Sequence, residues 1–337
     1  MTTLLIATSR GFICIDEKMS RAYLIDRDNG TYYGITYNEK NIFVAARRIS
    51  YAKGKGRPEE QAGVILVYNY NLELVDELLP AFPLRDLHQI YYFDNKLWAV
   101  CTYDSTVAIY GNGLWGRWHP LGENITTKIA HKYHFNSIFS IKNRIYMAGS
   151  IDRNGIIYEY DFQSKAILNK YFIGYSSHNV WARDGVISTL SSMAGTSVSI
   201  DGRSEIISKG NFVRGIAVTE HSVYYGISTA LNRSRREGSN LMIKKTSMDN
   251  TGTGFYGIRE FGQINEIRTP GLFDYAHPSC PGKIIQTEKL GERFDSVPII
   301  KDPVIREIPA WQSIPRSLYQ RFDMARRKSR LRRDQIL

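Results

Sequence analysis

Polar and apolar positions along the chain repeat one short frame. A variable, often polar residue stands two positions before Ile or Val and nine before another aliphatic residue, with a turn between. The copies are Tyr33-Gly34-Ile35 leading to Ile42-Phe43-Val44, His88-Gln89-Ile90 to Leu97-Trp98-Ala99, and Asn136-Ser137-Ile138 to Ile145-Tyr146-Met147. His178-Asn179-Val180 to Val186-Ile187-Ser188 and Arg214-Gly215-Ile216 to Val223-Tyr224-Tyr225 complete the set. Each copy reads as two adjacent antiparallel strands. Successive copies are 55, 48, 42 and 36 residues apart, the length of a four-stranded blade with variable loops, so the pattern predicts an all-β propeller.

Further strands fit between the copies. After Tyr33 the alternation predicts strands over 33–37, 42–47, 63–70 and 72–79, and after Asn136 over 137–141, 144–150, 156–161 and 166–173. Upstream of Tyr33 only three fit, at 3–8, 11–16 and 21–26, which leaves the first blade one strand short. An unpaired inner edge would expose a row of backbone donors and acceptors. The missing strand is therefore expected from 262–269, followed by Leu272 to His277, giving six four-stranded antiparallel blades closed by both ends of the chain over residues 1–277. Residues 278–314 contain Pro281, Pro298, Pro303 and Pro309 and predict an extended strap. Residues 315–337 predict a helix, with Leu318, Phe322 and Ala325 on one face and Pro315 at its start.

Composition agrees and adds a charge asymmetry. The chain is 12% aromatic with 22 Tyr, as β-rich proteins are. Its formal charge is +11, of which residues 316–337 carry about +6 from eight Lys or Arg against Asp323 and Asp334. Three uses fit that basic helix: docking on the propeller with its end solvated, docking on an acidic protein partner or larger assembly, and contact with nucleic acid phosphates. Nucleic acid comes last, because no aromatic stacking residue stands among the arginines of the tail's basic second half, 326–337. Cys14, Cys101 and Cys280 are an odd number in a chain large enough to need no staple, so they are expected reduced. No apolar stretch of membrane-spanning length occurs, and the first residues do not form a signal-peptide core, so the expected place is the cytoplasm or an assembled particle, with no membrane contact.

The repeat, a small or polar residue, then Ile or Val, a turn, then apolar-aromatic-apolar, resembles six-bladed propellers of the gluconolactonase, strictosidine-synthase and virginiamycin-lyase kind over residues 3–277. The resemblance implies hydrolase, synthase or lyase chemistry on the propeller axis with calcium or magnesium. Gluconolactonase-like members hold calcium with Glu, Asn and Asp. Among the repeated anchors here only Asn136 matches that donor set.

Residues at one repeat position form a ring around a propeller axis. That ring is expected to contain Tyr33, His88, Asn136, His178, Arg214 and His277. His88, His178 and His277 come from alternate blades, a three-fold arrangement suited to a divalent metal with open positions. The same polar residues also suit a wet channel satisfied by water. Two long loops on the same face are basic, with Arg47, Arg48, Lys53, Lys55 and Arg57 in one and Arg233, Arg235 and Arg236 in the other. Together with Arg214 they predict a positive mouth for carboxylate, sulfate or phosphate. His131 and His134 fall in a connection and are expected exposed. The sequence thus predicts a binding propeller that takes an anionic small molecule or an acidic partner. The alternative is a metal-assisted lyase or hydrolase with Arg214 clamping substrate and Tyr33 donating a proton.

Overall fold

The computed structural model describes residues 3–16, 21–48, 63–123, 127–229, 236, 240–249, 251–258, 261–270 and 296–301. Among them the strands form six blades. Blade 1 contains β1 (Thr3–Thr8), β2 (Phe12–Asp16) and β3 (Arg21–Asp26), and its inner edge is β24 (Ile264–Arg268), antiparallel to β1. Blade 2 runs β4 (Thr31–Tyr37), β5 (Asn41–Arg47), β6 (Gly63–Asn69), β7 (Leu74–Leu78). Blade 3 spans β8 (Leu87–Phe93) to β11 (Leu114–Trp118), and blade 4 spans β12 (Ser137–Ile141) to β15 (Ile167–Tyr171). Blades 5 and 6 span β16 (Ser177–Arg183) to β19 (Ser204–Ile206), and β20 (Phe212–Val218) to β23 (Thr253–Ile258). The inner strands β24, β4, β8, β12, β16 and β20 each lie beside the next and close the ring.

Burial follows position within the blade. β1 and β2 are buried along their whole length, because both faces of an inner blade region meet neighbouring blades. The outer strand β15 (Ile167-Leu168-Asn169-Lys170-Tyr171) is largely exposed, and its Lys and Asn blunt an open sheet edge. The core lies between blades. Leu5, Phe12 and Tyr23 pack with Ile35, Val44 and Tyr68 between blades 1 and 2, and Phe93, Trp98, Phe139 and Val180 join blades 3, 4 and 5. Some junctions are tight enough to demand glycine: a Cβ on Gly34 would sit 2.4 Å from the backbone nitrogen of Ile90.

Within the tract expected to be an extended strap, residues Ser296–Lys301 form β25. This strand pairs antiparallel with both β23 and β3 and covers the outer edges of blades 6 and 1. Cys14 and Cys101 are free and buried, and burial pushes both thiols up, Cys101 to about 12. No helix among the described residues is long and apolar enough to cross a membrane. The basic helix expected over 315–337, Cys280 and most of the strap lie outside the described residues.

Candidate functional site

The inner strands carry irregularities where the repeat places its polar anchors. The ladder slips between Tyr32 and Ile35, Leu87 and Ile90, His178 and Val180, and Val213 and Ile216, and β24 slips opposite Ala7 and Thr8. A bulge inserts an unpaired residue and re-aims its side chain. Five of the six inner strands slip in this way, while β12 pairs without a slip and Asn136 reaches the axis all the same. His88, Asn136, His178 and Arg214 line one small axial void of about 10 Å3, and Asn265 lines it with them. Asn265 is thus the anchor of the closing strand, standing two residues before Ile267 as His88 stands before Ile90. The place expected for His277 is filled by Asn265, because β24 ends at Arg268; His277 itself lies outside the described residues.

One residue further along each strand comes a second layer, Gly34, Gln89, Ser137, Asn179, Gly215 and Glu266, and it stitches blade to blade. Gln89 Oε1 accepts the Ile138 N–H at 2.7 Å, Ser137 Oγ accepts the Asn179 N–H at 2.7 Å, and Asn179 Oδ1 accepts the Gly215 N–H at 2.9 Å. Asn179 and Gly215 have φ of 59° and 83°, the left-handed region that Asn and Gly tolerate best. Glu266, 1% exposed, accepts from Gln89 Nε2 at 3.1 Å and Asn179 Nδ2 at 3.2 Å, and Arg268 Nη1 lies 3.6 Å away. Desolvation raises its carboxyl above the usual range, against the opposing pull of Arg268 and Gln89. Arg268 Nε in turn donates to Ile35 O at 2.9 Å. This layer plugs the axis.

Above the plug lies the mouth. His178 Nδ1 sits 2.9 Å from the Ser176 carbonyl and 3.0 Å from Ser192 Oγ. A carbonyl can only accept, so the proton is assigned to Nδ1 and the Nε2 lone pair is left open. His88 Nδ1 faces three groups: Asp86 O at 2.9 Å, Thr102 Oγ1 at 2.6 Å and Arg47 Nη2 at 2.8 Å. Thr102 spends its own proton on Phe135 O at 2.6 Å. Arg47 can only donate where the two oxygens accept, and its Nη2 also lies 3.5 Å from His88 Nε2, so these neighbours compete for the ring and do not fix one tautomer. Burial, reinforced by Arg47 and Arg214 at His88 and by Arg214 at His178, holds both imidazoles well below the ordinary histidine value, so they are neutral at neutral pH.

Arg47 is buried, ion-paired with Asp86, bonded to Leu87 O at 2.8 Å, and packed 3.5 Å over the Tyr33 ring. Arg214 differs. It is 7% exposed, its guanidinium lies 5.3 Å from the Tyr33 ring centre, and among the described residues it makes no hydrogen bond or ion pair. Burial lowers its pKa to about 10, so it keeps its charge at neutral pH. Arg236, buried, packs on Phe212 at 3.8 Å and donates to Gln263 Oε1 at 3.0 Å. Phe212 in turn meets His178 edge-on.

His134 is not the exposed connection residue expected. It is half-buried, its ring meets His88 edge-on at 5.5 Å, and its left-handed backbone (φ 45°) follows the turn His131–Tyr133 and aims it at the axis. His88, His134 and His178 bring ring nitrogens within 4.8 Å of one another. Asn136 is committed to structure: its amide donates to Ser177 O at 2.8 Å, and its oxygen accepts from Ser137 Oγ at 2.6 Å. Arg48 turns outward to pair with Glu77 of β7. Arg235, with Lys53, Lys55, Arg57 and Arg233, lies outside the described residues. A calcium or magnesium ion of the kind the resemblance implies does not fit this axis, because hard cations take several oxygen ligands. The mouth offers imidazole nitrogens, and the oxygens of Asn136 and Glu266 are already engaged.

No protein-family model matches the chain, and no curated protein is similar to it in sequence. Solved structures do share its shape. A chain of the crystallised nidogen/laminin complex superposes with a TM-score of 0.56 at 9% identity, covering 83% of this chain and 100% of that one. A Bacteroides caccae protein of unknown function gives 0.54 at 10% identity, covering 80% and 99%. At these identities the likeness shows the fold alone. It supports a propeller and leaves the narrower resemblance to gluconolactonase-type enzymes without support.

Proposed function

We propose that this propeller is a binding module whose axial mouth recognises an anionic group, on a small molecule or an acidic partner. The observation that carries the reading is Arg214. Its guanidinium stays charged and makes no direct hydrogen bond or ion pair among the described residues, so its donors are available to an anionic ligand. The surroundings support the sign of that ligand. Arg47 and Arg236 approach the same mouth, Asp86 is spent on Arg47, and the neutral His88 and His178 add no negative charge. A carboxylate, sulfate or phosphate oxygen placed against Arg214 gains a charge-assisted bond in a site shielded from water.

Thermal unfolding with sulfate, phosphate and citrate tests this. At a concentration 100 times its Kd, a bound anion stabilises the protein by about 2.7 kcal/mol, and Arg214→Met is expected to abolish that gain at matched ionic strength. Equal stabilisation of wild type and variant would remove Arg214 from the site. A second reading, a metal-assisted lyase or hydrolase acting on the same anion, is favoured by one observation, the convergence of three imidazoles beside Arg214.

A further inference from the structure

We infer that His88, His134 and His178 hold a single divalent transition metal of the zinc or cobalt class, with one coordination position directed at Arg214. Three features carry this. The ring nitrogens converge within 4.8 Å from three separate elements: β8, the connection ahead of β12, and β16. One ring, His178, is already oriented as metal-binding imidazoles are, with Nδ1–H held by a backbone carbonyl and a hydroxyl so that Nε2 carries the free lone pair, and His88 Nδ1 lies against the matching pair, Asp86 O and Thr102 Oγ1, with Arg47 Nη2 at 2.8 and 3.5 Å from its two ring nitrogens. The holding hydroxyls, Thr102 and Ser192, occupy matching places at the ends of the second strands of blades 3 and 5, so the same supporting contact is built twice.

The donor set chooses the metal. Three imidazole ligands suit zinc, cobalt, nickel or copper, whereas calcium and magnesium call for oxygen. Tetrahedral zinc with bonds of about 2.0 to 2.1 Å places its ligand nitrogens about 3.3 Å apart. The 4.8 Å limit on the three nitrogens leaves a closure of at most about 1.5 Å to reach that spacing, and His134, on a connection, has the freest backbone of the three. Three protein ligands leave a fourth position. The positive charge of Arg214 would oppose a bare cation but favours a cation carrying an anionic ligand. Metal and anion are therefore coupled, each strengthening the other by the same factor. This last point rests on the anion reading above; the three-histidine site does not.

The probes are zinc(II) and cobalt(II) chloride, added to tag-free, chelator-stripped protein without phosphate. Elemental analysis reads the stoichiometry and the visible cobalt spectrum reads the ligand field. One equivalent is expected, with the intense absorption of a low-coordinate site. His134→Ala and His178→Ala should each weaken binding by more than about 100-fold, beyond the range of outer-shell changes. His277→Ala should leave it unchanged. Folding of each variant is checked by circular dichroism, and if His178→Ala fails to fold, His134→Gln carries the test alone, since that residue is outside the strands. Absence of saturable cobalt binding by folded wild type overturns the site. So does undiminished binding by His134→Ala, or loss of binding in His277→Ala instead. Adding inorganic phosphate to the cobalt form should shift the spectrum in wild type and not in Arg214→Met. A shift retained in that variant overturns the anion coupling and leaves the metal site standing.

Discussion

Two polar layers sit one residue apart on the same six strands, and they differ in how completely their bonds are used. The plug layer, Gln89, Ser137, Asn179 and Glu266, spends its hydrogen bonds on neighbouring blades. The mouth layer, with His88, His178 and Arg214, is buried as well, but among the described residues Arg214 makes no hydrogen bond or ion pair. Polarity on a propeller axis is therefore no sign of function by itself. Buried polar groups are ordinarily satisfied, and what sets the mouth apart is a guanidinium with no direct hydrogen bond or ion pair among the described residues, beside the His178 imidazole held through Nδ1.

The contrast can be broken most forcefully at Asn179. Asn179→Ala orphans the Gly215 N–H, removes one partner from the buried Glu266, and places Ala at a positive φ. A loss of about 4 kcal/mol in urea unfolding is expected, from about 1 to 3 kcal/mol for each unsatisfied group plus the backbone cost. A loss under 1 kcal/mol would mean that the plug does not tie the blades.

Acid should act on the mouth. Both histidines have folded values below their unfolded value near 6.5, so below that pH the unfolded chain binds protons that the folded one refuses. Stability contributed above pH 6.5 is lost as the pH falls, with a slope approaching about 1.4 kcal/mol per pH unit for each histidine. Unfolding between pH 7 and 5.5 in wild type and in a His88→Asn, His178→Asn double variant checks this. Parallel curves would place the protons elsewhere. Glu266 has the opposite sign: its raised value favours the folded state below the unfolded carboxyl value and gives that up as the pH rises.

The smallest effect is expected at Arg214. Arg214→Met should leave stability without ligand within about 1 kcal/mol of wild type, or raise it, because an apolar chain replaces a buried charge that lacks an ion-pair partner. A loss of 3 kcal/mol would show that the guanidinium belongs to the structural layer after all.

The blades were legible because each strand alternates and each copy repeats the same frame. β1 (Thr3–Thr8), β3 (Arg21–Asp26) and β12 (Ser137–Ile141) run where the alternation predicts them, and the closing strand falls inside 262–269. The site was legible only where it obeys that periodicity. Asn265-Glu266-Ile267 is a sixth copy of the frame, and testing the closing strand against the repeat would have found it in place of His277. His134 obeys no period. Its direction is set by a left-handed residue after a short turn, and only the path of the chain brings it to His88. Arg214 reads in sequence as one basic anchor among polar ones; that it lacks an acceptor is a property of the packed ring.

The closing strand has a consequence for how the molecule comes into being. Asn265 and Glu266 arrive more than 250 residues after the strand they pair with, so neither layer is finished until the strand that follows blade 6 has been made. A partly synthesised or truncated chain can build blades 2 to 5 and still own no working mouth. Closure of the polar axis is thereby tied to one late strand, and a half-made ring lacks it.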